Sequence, residues 1–407
     1  MIEEYFKIAF RSINQRRIRS LLTVLGIFLG IVTIFVLLSL SLGLREYVNE
    51  QFENLGSDKF FIQPKGQTGG PGSTGGAVEL TTEDLEVVRD VNGVDLATYF
   101  NIGNTKIEFR DQTRYYLTIG IPTENPREID IIFEASGIEI EEGRMIRDND
   151  NKKVLVGYNY KYRNLFDKPV KPGNTIKLND IEFEVIGVLE AIGNPSDDQQ
   201  VYIKIDDFRE LFDSGEKVDF IWAQVKKGEN LTEIAEEAER DLMRHRDVDE
   251  KTLDFTIQTP EELLEIFGTV LNGITGFLVI IGLISAIVGG IGIANTMYTS
   301  VLERQKEIGT MKAIGAKNSD ILWIFVIEAG ILGLVGGVFG VFFGIIMAKS
   351  IEYIITFYVG LNLLRASLNP LLIIGCIAFG FIIGSISGLI PSYQASKLKP
   401  VDTLRYE

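Results

Sequence analysis

The sequence predicts an α-helical membrane protein with four transmembrane helices and a large α+β extracytoplasmic domain between helices 1 and 2. The first observation is that the apolar residues of the 407-residue chain are concentrated in four segments. Each segment is long enough for a helix to cross about 30 Å of hydrocarbon at about 1.5 Å per residue. The second observation is that residues 45–265, between the first two segments, carry 47 of the 56 acidic and 26 of the 40 basic side chains. A polar segment of about 220 residues is large enough for one domain or two small ones.

The first predicted span comprises residues 21–44 and contains no charged side chain. It follows a basic segment, 1–20, which we predict to be an amphipathic cytoplasmic helix. A cleaved signal peptide has an apolar run of about 7–15 residues followed by a small-residue cleavage site. The run in this chain is longer and continues into Arg45 without such a site, so we expect an uncleaved anchor.

Lysine and arginine residues near the span ends predict the orientation of the chain. Five of them lie in residues 1–20 and four in residues 303–320, whereas the predicted short outer loop, 349–367, contains two. Three more lie in the predicted cytoplasmic tail, 392–407. Because basic residues accumulate on the cytoplasmic side, we expect a multi-pass protein of the cell membrane with both termini in the cytoplasm.

The segment 45–265 is therefore expected outside the cytoplasm, with a net charge of about −21. Mixed strand and helix patterns at 45–125 and 200–258 flank a run of short strands and turn signals at 126–199. We interpret that run as a mainly β subdomain inserted into a mixed one. The glycine-rich stretch 66–76 is predicted to be disordered because it can bury almost nothing. Nucleic acid is not expected as a partner, since phosphate binding depends on clustered cations.

The segment 259–302 is predicted to be one helix that forms a stalk and the second span. Thr259 as the N-cap, Pro260 at the first helical position and Glu262 complete a capping box. About 43 residues at 1.5 Å each give about 65 Å, so part of this helix should extend beyond the membrane. Apolar residues recur along it at spacings of three and four, which is typical of a coiled-coil seam: Leu263, Phe267, Val270, Ile274, Phe277 and Ile281. Packing against the first span and a homodimer stalk both fit this seam.

Small residues four apart recur in all four spans, the last two of which are predicted at 321–348 and 368–391. Such stripes let helices approach closely where lipid supplies no hydrophobic drive. The residues predicted for helix packing or dimer contact are Gly26, Gly30, Phe267, Val270, Ile274, Gly282, Ala286 and Gly290. Glu328 is the only charge in 321–348. We favour a structural pair with a cytoplasmic cation, such as an N-terminal arginine, over a proton or substrate site.

The charged residues 303–320 between the second and third spans form what we name the interspan segment. Its first part alternates in charge through Glu303, Arg304, Lys306 and Glu307. Ile308 and Met311 are three residues apart and so share one face of a helix. Small residues that allow turns and close backbone approach are Gly309, Gly315 and Ala316. From spacing alone, a solvated loop and a docking element both fit this pattern.

Several classes of activity do not fit the sequence. The chain contains no Gly-x-x-x-x-Gly-Lys-Ser/Thr motif, so we do not expect it to hydrolyse ATP by itself. With one histidine and one cysteine it lacks the usual nucleophile pairs, and we predict no catalytic, cofactor-binding or metal-binding residues. The spans also lack the polar groups that line the path of a carrier or channel, apart from Glu328. We therefore expect a membrane subunit that transmits motion rather than an enzyme or a pore.

The sequence ERQKEIGTMKAIGA at 303–316 resembles the signature of the MacB/FtsX-like ABC transporter permeases. Residues 16–27 resemble the family's entry to span one, residues 327–329 its start of span three, and residues 391–407 its closing segment. The resemblance implies a MacB-type permease subunit without a fused ATPase. It also implies a porter-like outer domain, formed by 45–125 and 200–258, that carries the inserted subdomain.

In this family the region matching 303–316 is the coupling element that sits on an ATPase subunit. The resemblance thus implies ATPase contacts through Glu303, Arg304, Glu307, Ile308, Gly309, Met311, Lys312, Ala313, Gly315 and Ala316. The permease binds no cofactor directly, and two copies of the ATPase subunit act on ATP and Mg²⁺. Other implied partners are the lipid bilayer and a second copy or a related permease, with an extracytoplasmic adaptor left open.

The resemblance implies that ATP hydrolysis drives mechanical motion of the outer domains for export or extrusion of a peptide, drug or lipoprotein. An alternative is a non-transport signal transmitter that regulates an extracellular enzyme, as in the cell-division, FtsX-like branch. The large outer region favours the first function. A membrane receptor or scaffold without any ATPase is a third alternative.

Overall fold

The computed structural model describes residues 17–65, 78–162, 165–359 and 365–400. The chain divides into two compact units. The helical unit comprises Met1–Arg45, Thr269–Thr356 and Leu364–Glu407, and the α/β unit comprises Glu46–Gly268 and Phe357–Leu363. Three predicted features lie wholly or mostly outside the described residues: the N-terminal amphipathic helix, the glycine-rich stretch and the end of the cytoplasmic tail.

Helices and strands are numbered in chain order. The helices are α1 (Arg17–Leu55), α2 (Thr82–Asp90), α3 (Pro126–Ala135), α4 (Asn159–Tyr162), α5 (Ile205–Phe212), α6 (Leu231–His245), α7 (Pro260–Glu303), α8 (Gln305–Ala313), α9 (Asn318–Ile354) and α10 (Pro370–Ser396). The strands are β1 (Lys59–Pro64), β2 (Leu80–Thr81), β3 (Val94–Phe109), β4 (Gln112–Ile121), β5 (Ile140–Gly143), β6 (Lys153–Val156), β7 (Thr175–Leu178), β8 (Ile181–Leu189), β9 (Val201–Lys204), β10 (Lys217–Val218), β11 (Phe220–Val225) and β12 (Phe255–Gln258).

Four of the described helices are long and apolar enough to cross a membrane. They overlap the four predicted spans and comprise Leu25–Glu53, Pro260–Glu303, Asn318–Tyr358 and Pro370–Ser396. Each contains a run of apolar residues of about the length that a bilayer requires. The predicted fold class, four membrane-spanning helices with a large α/β domain between the first and second, is therefore confirmed.

The long helix α7 begins where the capping box predicts. The backbone N–H of Thr259 donates to Glu262 Oε2 at 3.0 Å, and the N–H of Glu262 donates to Thr259 Oγ1 at 3.3 Å. These two bonds satisfy groups that a helix start otherwise leaves unpaired. The helix then continues for 44 residues, which corresponds to about 66 Å at 1.5 Å per residue.

Two of the predicted helix ends differ from the structure. The predicted outer loop 349–367 is helical in its first half, because α9 continues to Ile354 and a π-helical turn follows at Ile355–Val359. Residues 349–359 contain neither proline nor glycine, so nothing in the sequence ends the helix there. At the other end of the unit, α10 passes through Pro391 and ends at Ser396, so the predicted tail begins as helix.

Glycines bring the backbones of the helical unit into contact. A Cβ atom placed on Gly333 of α9 would lie 2.2 Å from the carbonyl oxygen of Gly380 of α10, and one on Gly384 would lie 2.6 Å from the carbonyl oxygen of Ala329. Both distances are shorter than any side chain tolerates, so only glycine fits. The predicted small-residue stripes thus allow the helices α9 and α10 to pack backbone to backbone.

In the α/β unit, one ten-stranded sheet contains strands from the whole segment. The 16-residue strand β3 pairs antiparallel with β11 along its first half and with β4 along its second half. Strand β7 pairs with both β3 and β8, and the turn between β7 and β8 has two residues with positive φ, Asn179 and Asp180, as a type I′ hairpin requires. The pairs β3–β4, β4–β9, β9–β6, β6–β8, β8–β7 and β7–β3 therefore close a ring.

The strand pairing in this ring crosses the predicted division of the domain at 126–199. Strands β6 and β7 of the predicted inserted subdomain pair with β9 and β3, respectively, which lie outside it. One hydrophobic core contains Phe60 and Leu85 together with Phe183 and Val185. Strand β3 is 16 residues long and pairs with β11 and with β7, one from each part. The predicted boundaries thus cut through a single sheet.

Candidate functional site

The interspan segment is a short helix between two bends. Arg304 separates α7 from α8, with its N–H bonded to the carbonyl of Ser300 and its carbonyl accepting from the N–H of Ile308. At the other end, the N–H of Ala316 donates to the carbonyl of Met311 and the N–H of Gly315 to that of Lys312. This is a Schellman motif, and Gly315 has the positive φ, 106°, that the motif needs. The sequence therefore sets both the length and the end of α8.

One face of α8 is buried in the core of the helical unit. Ile308 is fully buried and belongs to the same hydrophobic cluster as Ile321 of α9 and Ala395 of α10. Gly309 is also buried, and Met311 packs against the cluster in a half-buried position. Helix α8 is thus held firmly against the ends of two spans.

Arg304 and Glu328 form an ion pair beneath α8. Arg304 Nη1 lies 3.0 Å from Glu328 Oε2, and Arg304 Nε lies 2.9 Å from Glu307 Oε2. The side chain of Glu328 is 7% exposed and that of Arg304 13% exposed. The guanidinium group also lies over the ring of Phe325, 5.4 Å from its centroid. Glu328 thus pairs with Arg304 of the interspan segment, whereas the sequence analysis gave an N-terminal arginine as the example of a partner.

Lys312 fastens the other end of α8 to the end of α10. Its Nζ donates to the carbonyl oxygens of Ser396 at 2.6 Å and Leu398 at 2.7 Å. A helix end leaves its last carbonyl groups without intrahelical partners and carries partial negative charge. An ammonium group is therefore a favourable partner there. Lys312 thus connects α8 to the end of α10, and Arg304, just before α8, connects the start of α8 to α9.

The predicted contact residues consequently divide into two sets. Six of them face or pack against the protein and set the position of α8: Arg304, Ile308, Gly309, Met311, Lys312 and Ala316. Four are exposed: Glu303, Glu307, Ala313 and Gly315. The same exposed surface includes Lys306, Thr310 and Ile314, which the sequence analysis did not select as contacts. Helical spacing of three and four from Glu303 would have identified them.

Ile314 is the most unusual residue of this exposed surface. Its apolar side chain is 83% exposed at the C-terminal end of α8. Charged side chains of Glu303, Lys306 and Glu307 are exposed on the same short helix and the bend before it. We name these residues, with Thr310 and Ala313, the α8 surface. An apolar residue among charges of both signs is typical of a protein contact with a small hydrophobic centre and a polar rim.

The residues predicted for helix packing also divide. Gly26, Gly30, Gly282, Ala286 and Gly290 lie at contacts between helices of the same chain. Val270 and Ile274 are exposed, as is Phe277 of the same predicted seam. The face of α7 that packs on α1 is a different one, which includes Leu271 and Thr275, whose hydroxyl is 2.7 Å from that of Ser41. Packing against the first span therefore does not explain the seam at these three positions.

Among the described residues, no group of three or more histidine, cysteine, aspartate or glutamate side chains could hold a metal ion. His245 lies at the end of α6, 4.0 Å from Asp84. Arg246 next to it bridges Asp84 and Asp254, at 2.7 and 2.8 Å. These groups join α2, α6 and the segment before β12, so their geometry is that of a structural network.

Both units of the chain are similar to known proteins. Residues 20–241 match the model of the MacB-like periplasmic core domain, and residues 279–400 match the model of the FtsX-like permease C-terminal region. The chain is 38% identical to an uncharacterised ABC transporter permease of Methanocaldococcus jannaschii, MJ1507, over 100% of this chain and 98% of that one. It is 25% identical to the uncharacterised ABC transporter permease YknZ of Bacillus subtilis, over 99% of each.

The chain is also 28% identical to the macrolide export ATP-binding/permease protein MacB of Neisseria meningitidis, over 98% of this chain. It spans only 60% of the length of that relative. Among solved structures, the periplasmic region of MacB from Actinobacillus actinomycetemcomitans matches 55% of this chain and 98% of its own, with 15% identity and a TM-score of 0.44.

Proposed function

Because this chain belongs to the MacB/FtsX-like ABC transporter permease family, we propose that it couples ATP hydrolysis by a separate ATPase subunit to motion of its α/β unit. Membership of this family implies an ATPase partner. The proposed outcome of the motion is export or extrusion of a peptide, drug or lipoprotein at the outer face of the membrane. The proposed orientation has both termini and the interspan segment in the cytoplasm, as the distribution of basic residues predicts.

The proposal rests on one observation: α8 has one face bound to the protein and one exposed face. Its inner face is attached to α9 through Glu328 and to α10 through Ser396 and Leu398, at distances of 2.6–3.0 Å. Its outer face presents charges of both signs around Ile314. A force applied to the α8 surface therefore reaches two spans directly through hydrogen bonds and buried contacts.

The spans themselves support mechanical transmission rather than passage through a pore. Helices α9 and α10 touch through their backbones, which leaves no room between them for a solute. Glu328, buried within α9, is paired with Arg304 and does not line an open path. In the proposed mechanism the substrate stays outside the bilayer, and the α/β unit acts on it there.

The alternative, a transmitter that regulates an extracellular enzyme, uses the same coupling. The match of the MacB-like core model, which extends to residue 241, favours the MacB-type function over the FtsX-like one. Export of a labelled substrate by proteoliposomes would support the MacB-type function, whereas activation of a purified cell-wall hydrolase without export would support the transmitter.

Ile314→Asp is expected to weaken binding of the ATPase subunit by about tenfold or more. The loss of one apolar side chain from an interface, with a charge in its place, accounts for at least about 1.4 kcal/mol. The measurement is the dissociation constant of the ATPase subunit for the permease in lipid nanodiscs, together with ATP turnover of the complex. Because Ile314 is exposed, the substitution should leave the fold of the permease intact.

Tyr115→Asp is the matched control. Tyr115 is also a large exposed side chain, 66% accessible, but it lies on β4 in the α/β unit. The control should bind the ATPase like the wild type. Unchanged binding of Ile314→Asp would exclude the α8 surface as the docking site, and the absence of any ATPase association with the wild type would favour the receptor or scaffold alternative.

A further inference from the structure

We propose that Asn230 is an N-glycosylation site, which receives its glycan from a lipid-linked sugar phosphate at the outer side of the membrane. The chain contains a single Asn-x-Ser/Thr sequence in which x is not proline, the sequon Asn230-Leu231-Thr232. This pattern is the acceptor for N-glycosylation and is used at surface positions of exported segments. The sequon lies in the segment 45–265, which the proposed orientation places outside the cytoplasm. The inference rests on that orientation and is independent of ATPase coupling.

The acceptor asparagine is exposed in the folded protein. It follows the exposed turn 226–229 between β11 and α6, and Thr232 is exposed as well. Gly228 in this turn has a positive φ of 94°, and a Cβ atom placed on it would meet no atom within 4 Å. Leu231 between the two exposed residues belongs to the hydrophobic core of the α/β unit. The core thus fixes the position of the sequon, while Asn230 stays at the surface beside open space.

The hydrogen bonds of Asn230 are compatible with a glycan on its amide nitrogen. Asn230 Oδ1 accepts the backbone N–H of Thr232 at 3.1 Å, which caps the N-terminus of α6, and Nδ2 donates to Glu233 Oε1 at 3.0 Å. Glycosylation replaces one of the two hydrogens of Nδ2 and leaves Oδ1 unchanged. The cap is therefore kept, and the remaining N–H can still donate to the exposed Glu233.

Helix capping alone does not account for the sequon. Asparagine, aspartate and serine are about equally good N-cap residues, so capping requires a polar side chain at position 230 but no amide. The cap uses only the backbone N–H of Thr232, and Thr232 is exposed, so neither capping nor packing requires its hydroxyl. Threonine is also a poorer helix former than alanine or glutamate. N-glycosylation, in contrast, requires both the amide and a hydroxyl two residues later.

The transfer is a substitution at the anomeric carbon of the donor sugar. Nδ2 of Asn230 forms a bond to this carbon, the bond between the carbon and the phosphate oxygen breaks, and the electron pair leaves with the lipid phosphate. One proton of the amide passes to a base of the transferase, and no oxidant or reductant is needed. Because Leu231 is buried in the folded protein, we expect the transfer to precede the packing of α6.

The glycan is expected to protect the neighbouring turn from proteolysis. Exposed turns with small and polar residues are preferred sites of cleavage, and Lys226 and Lys227 of this turn are exposed. A bulky, hydrated substituent on Asn230 restricts the access of a protease to both lysines. Trypsin should therefore cleave the folded Asn230→Asp variant in this turn faster than the folded wild type, and equal rates would exclude a protective role.

The direct test is peptide mass spectrometry of the full chain, purified from membranes of the organism that produces it. Tryptic digestion of the denatured protein yields the peptide 228–240, in which Asn230 is the only asparagine and Thr232 the only residue with a hydroxyl group. We expect this peptide to carry sugar on Asn230. Asn194, which is followed by Pro195 and Ser196, is the internal control and should be unmodified.

Three variants separate the sequon from the cap. Asn230→Asp keeps a side-chain acceptor for the cap but removes the amide nitrogen, and Thr232→Val keeps the asparagine and the backbone donor but removes the hydroxyl. Both should stay folded and lose the glycan completely, whereas Thr232→Ser should keep it. An unmodified Asn230 in the wild type, a glycan that persists in Asn230→Asp, or equal occupancy in Thr232→Val and the wild type would overturn the proposal.

The orientation is tested separately with Lys227→Cys and a membrane-impermeant maleimide in intact cells. Labelling is expected, since Lys227 is exposed and the only native cysteine, Cys376, is buried in the fourth span. Labelling together with an unmodified Asn230 would overturn the glycosylation proposal and leave the orientation standing. Absence of labelling in intact cells, with labelling after lysis, would overturn both.

Discussion

Glu328→Leu is expected to destabilise the helical unit by about 3 kcal/mol and to abolish ATP turnover coupled to the permease. The substitution leaves the guanidinium group of Arg304 largely buried without the carboxylate that lies 3.0 Å away. Removing one partner of a buried ion pair typically costs about 3–5 kcal/mol, because the remaining charge is uncompensated. The measurements are thermal unfolding followed by the fluorescence of Trp323 on α9 in a Trp222→Phe background, and ATP turnover with the partner ATPase.

Two further variants separate stability from coupling. The double substitution Arg304→Met with Glu328→Met should recover most of the stability, since apolar pairs often replace buried ion pairs without loss. It should not recover full turnover, because the directional bond that orients the bend before α8 is gone. Glu352→Gln, on the same helix but in a more exposed pair with Lys349, is the control and should behave like the wild type. Wild-type stability and turnover in Glu328→Leu would contradict the role assigned to the pair.

Gly333→Ala is expected to destabilise the helical unit by about 1–3 kcal/mol, the range for inserting atoms into a packed core. The added Cβ would lie 2.2 Å from the carbonyl oxygen of Gly380 and 3.0 Å from Cα of Gly384. Because these are backbone atoms, no side-chain rotation can relieve the clash, and α9 must move away from α10. Thermal unfolding in nanodiscs measures the effect, and a larger loss is expected for Gly333→Leu.

Gly375→Ala provides the matched control on the partner helix. An added Cβ at Gly375 has no atom within 4 Å, and alanine has a higher helix propensity than glycine. This variant should therefore be as stable as the wild type or slightly more stable. The glycine-to-alanine change is thus expected to lower the stability of the helical unit at position 333 and to keep or raise it at position 375. Equal unfolding temperatures for the two variants would show that α9 and α10 are not in backbone contact.

Local sequence patterns were sufficient for several features of the fold. The four spans follow from long apolar runs with at most one charged residue, since transfer from water to hydrocarbon depends on the composition of about 20 consecutive residues. The start of α7 follows from three neighbouring residues, Thr259, Pro260 and Glu262, and the structure has both bonds of the predicted capping box. In each case the decisive interactions join residues that are close in sequence.

Features that depend on distant residues were not predictable from the sequence. The partner of Glu328 is 24 residues away, and the carbonyl groups that Lys312 binds are 84 and 86 residues away. The pairing of β7 with β3 joins the predicted inserted segment to the rest of the domain. It was not predictable either, because several other strands could have paired with β7. Composition shows that an ion pair or a strand partner is needed, but several residues could satisfy that need.

The sequence by itself determined the number of spans, their approximate limits, the capping of α7 and the resemblance to a permease family. Only the tertiary structure decided which residues of the interspan segment face the protein and which are exposed. The physical reason is the range of the interactions. Solvation, capping and turn conformation act within about one helical turn or one bilayer thickness, whereas burial and pairing depend on which helices the folded chain brings together.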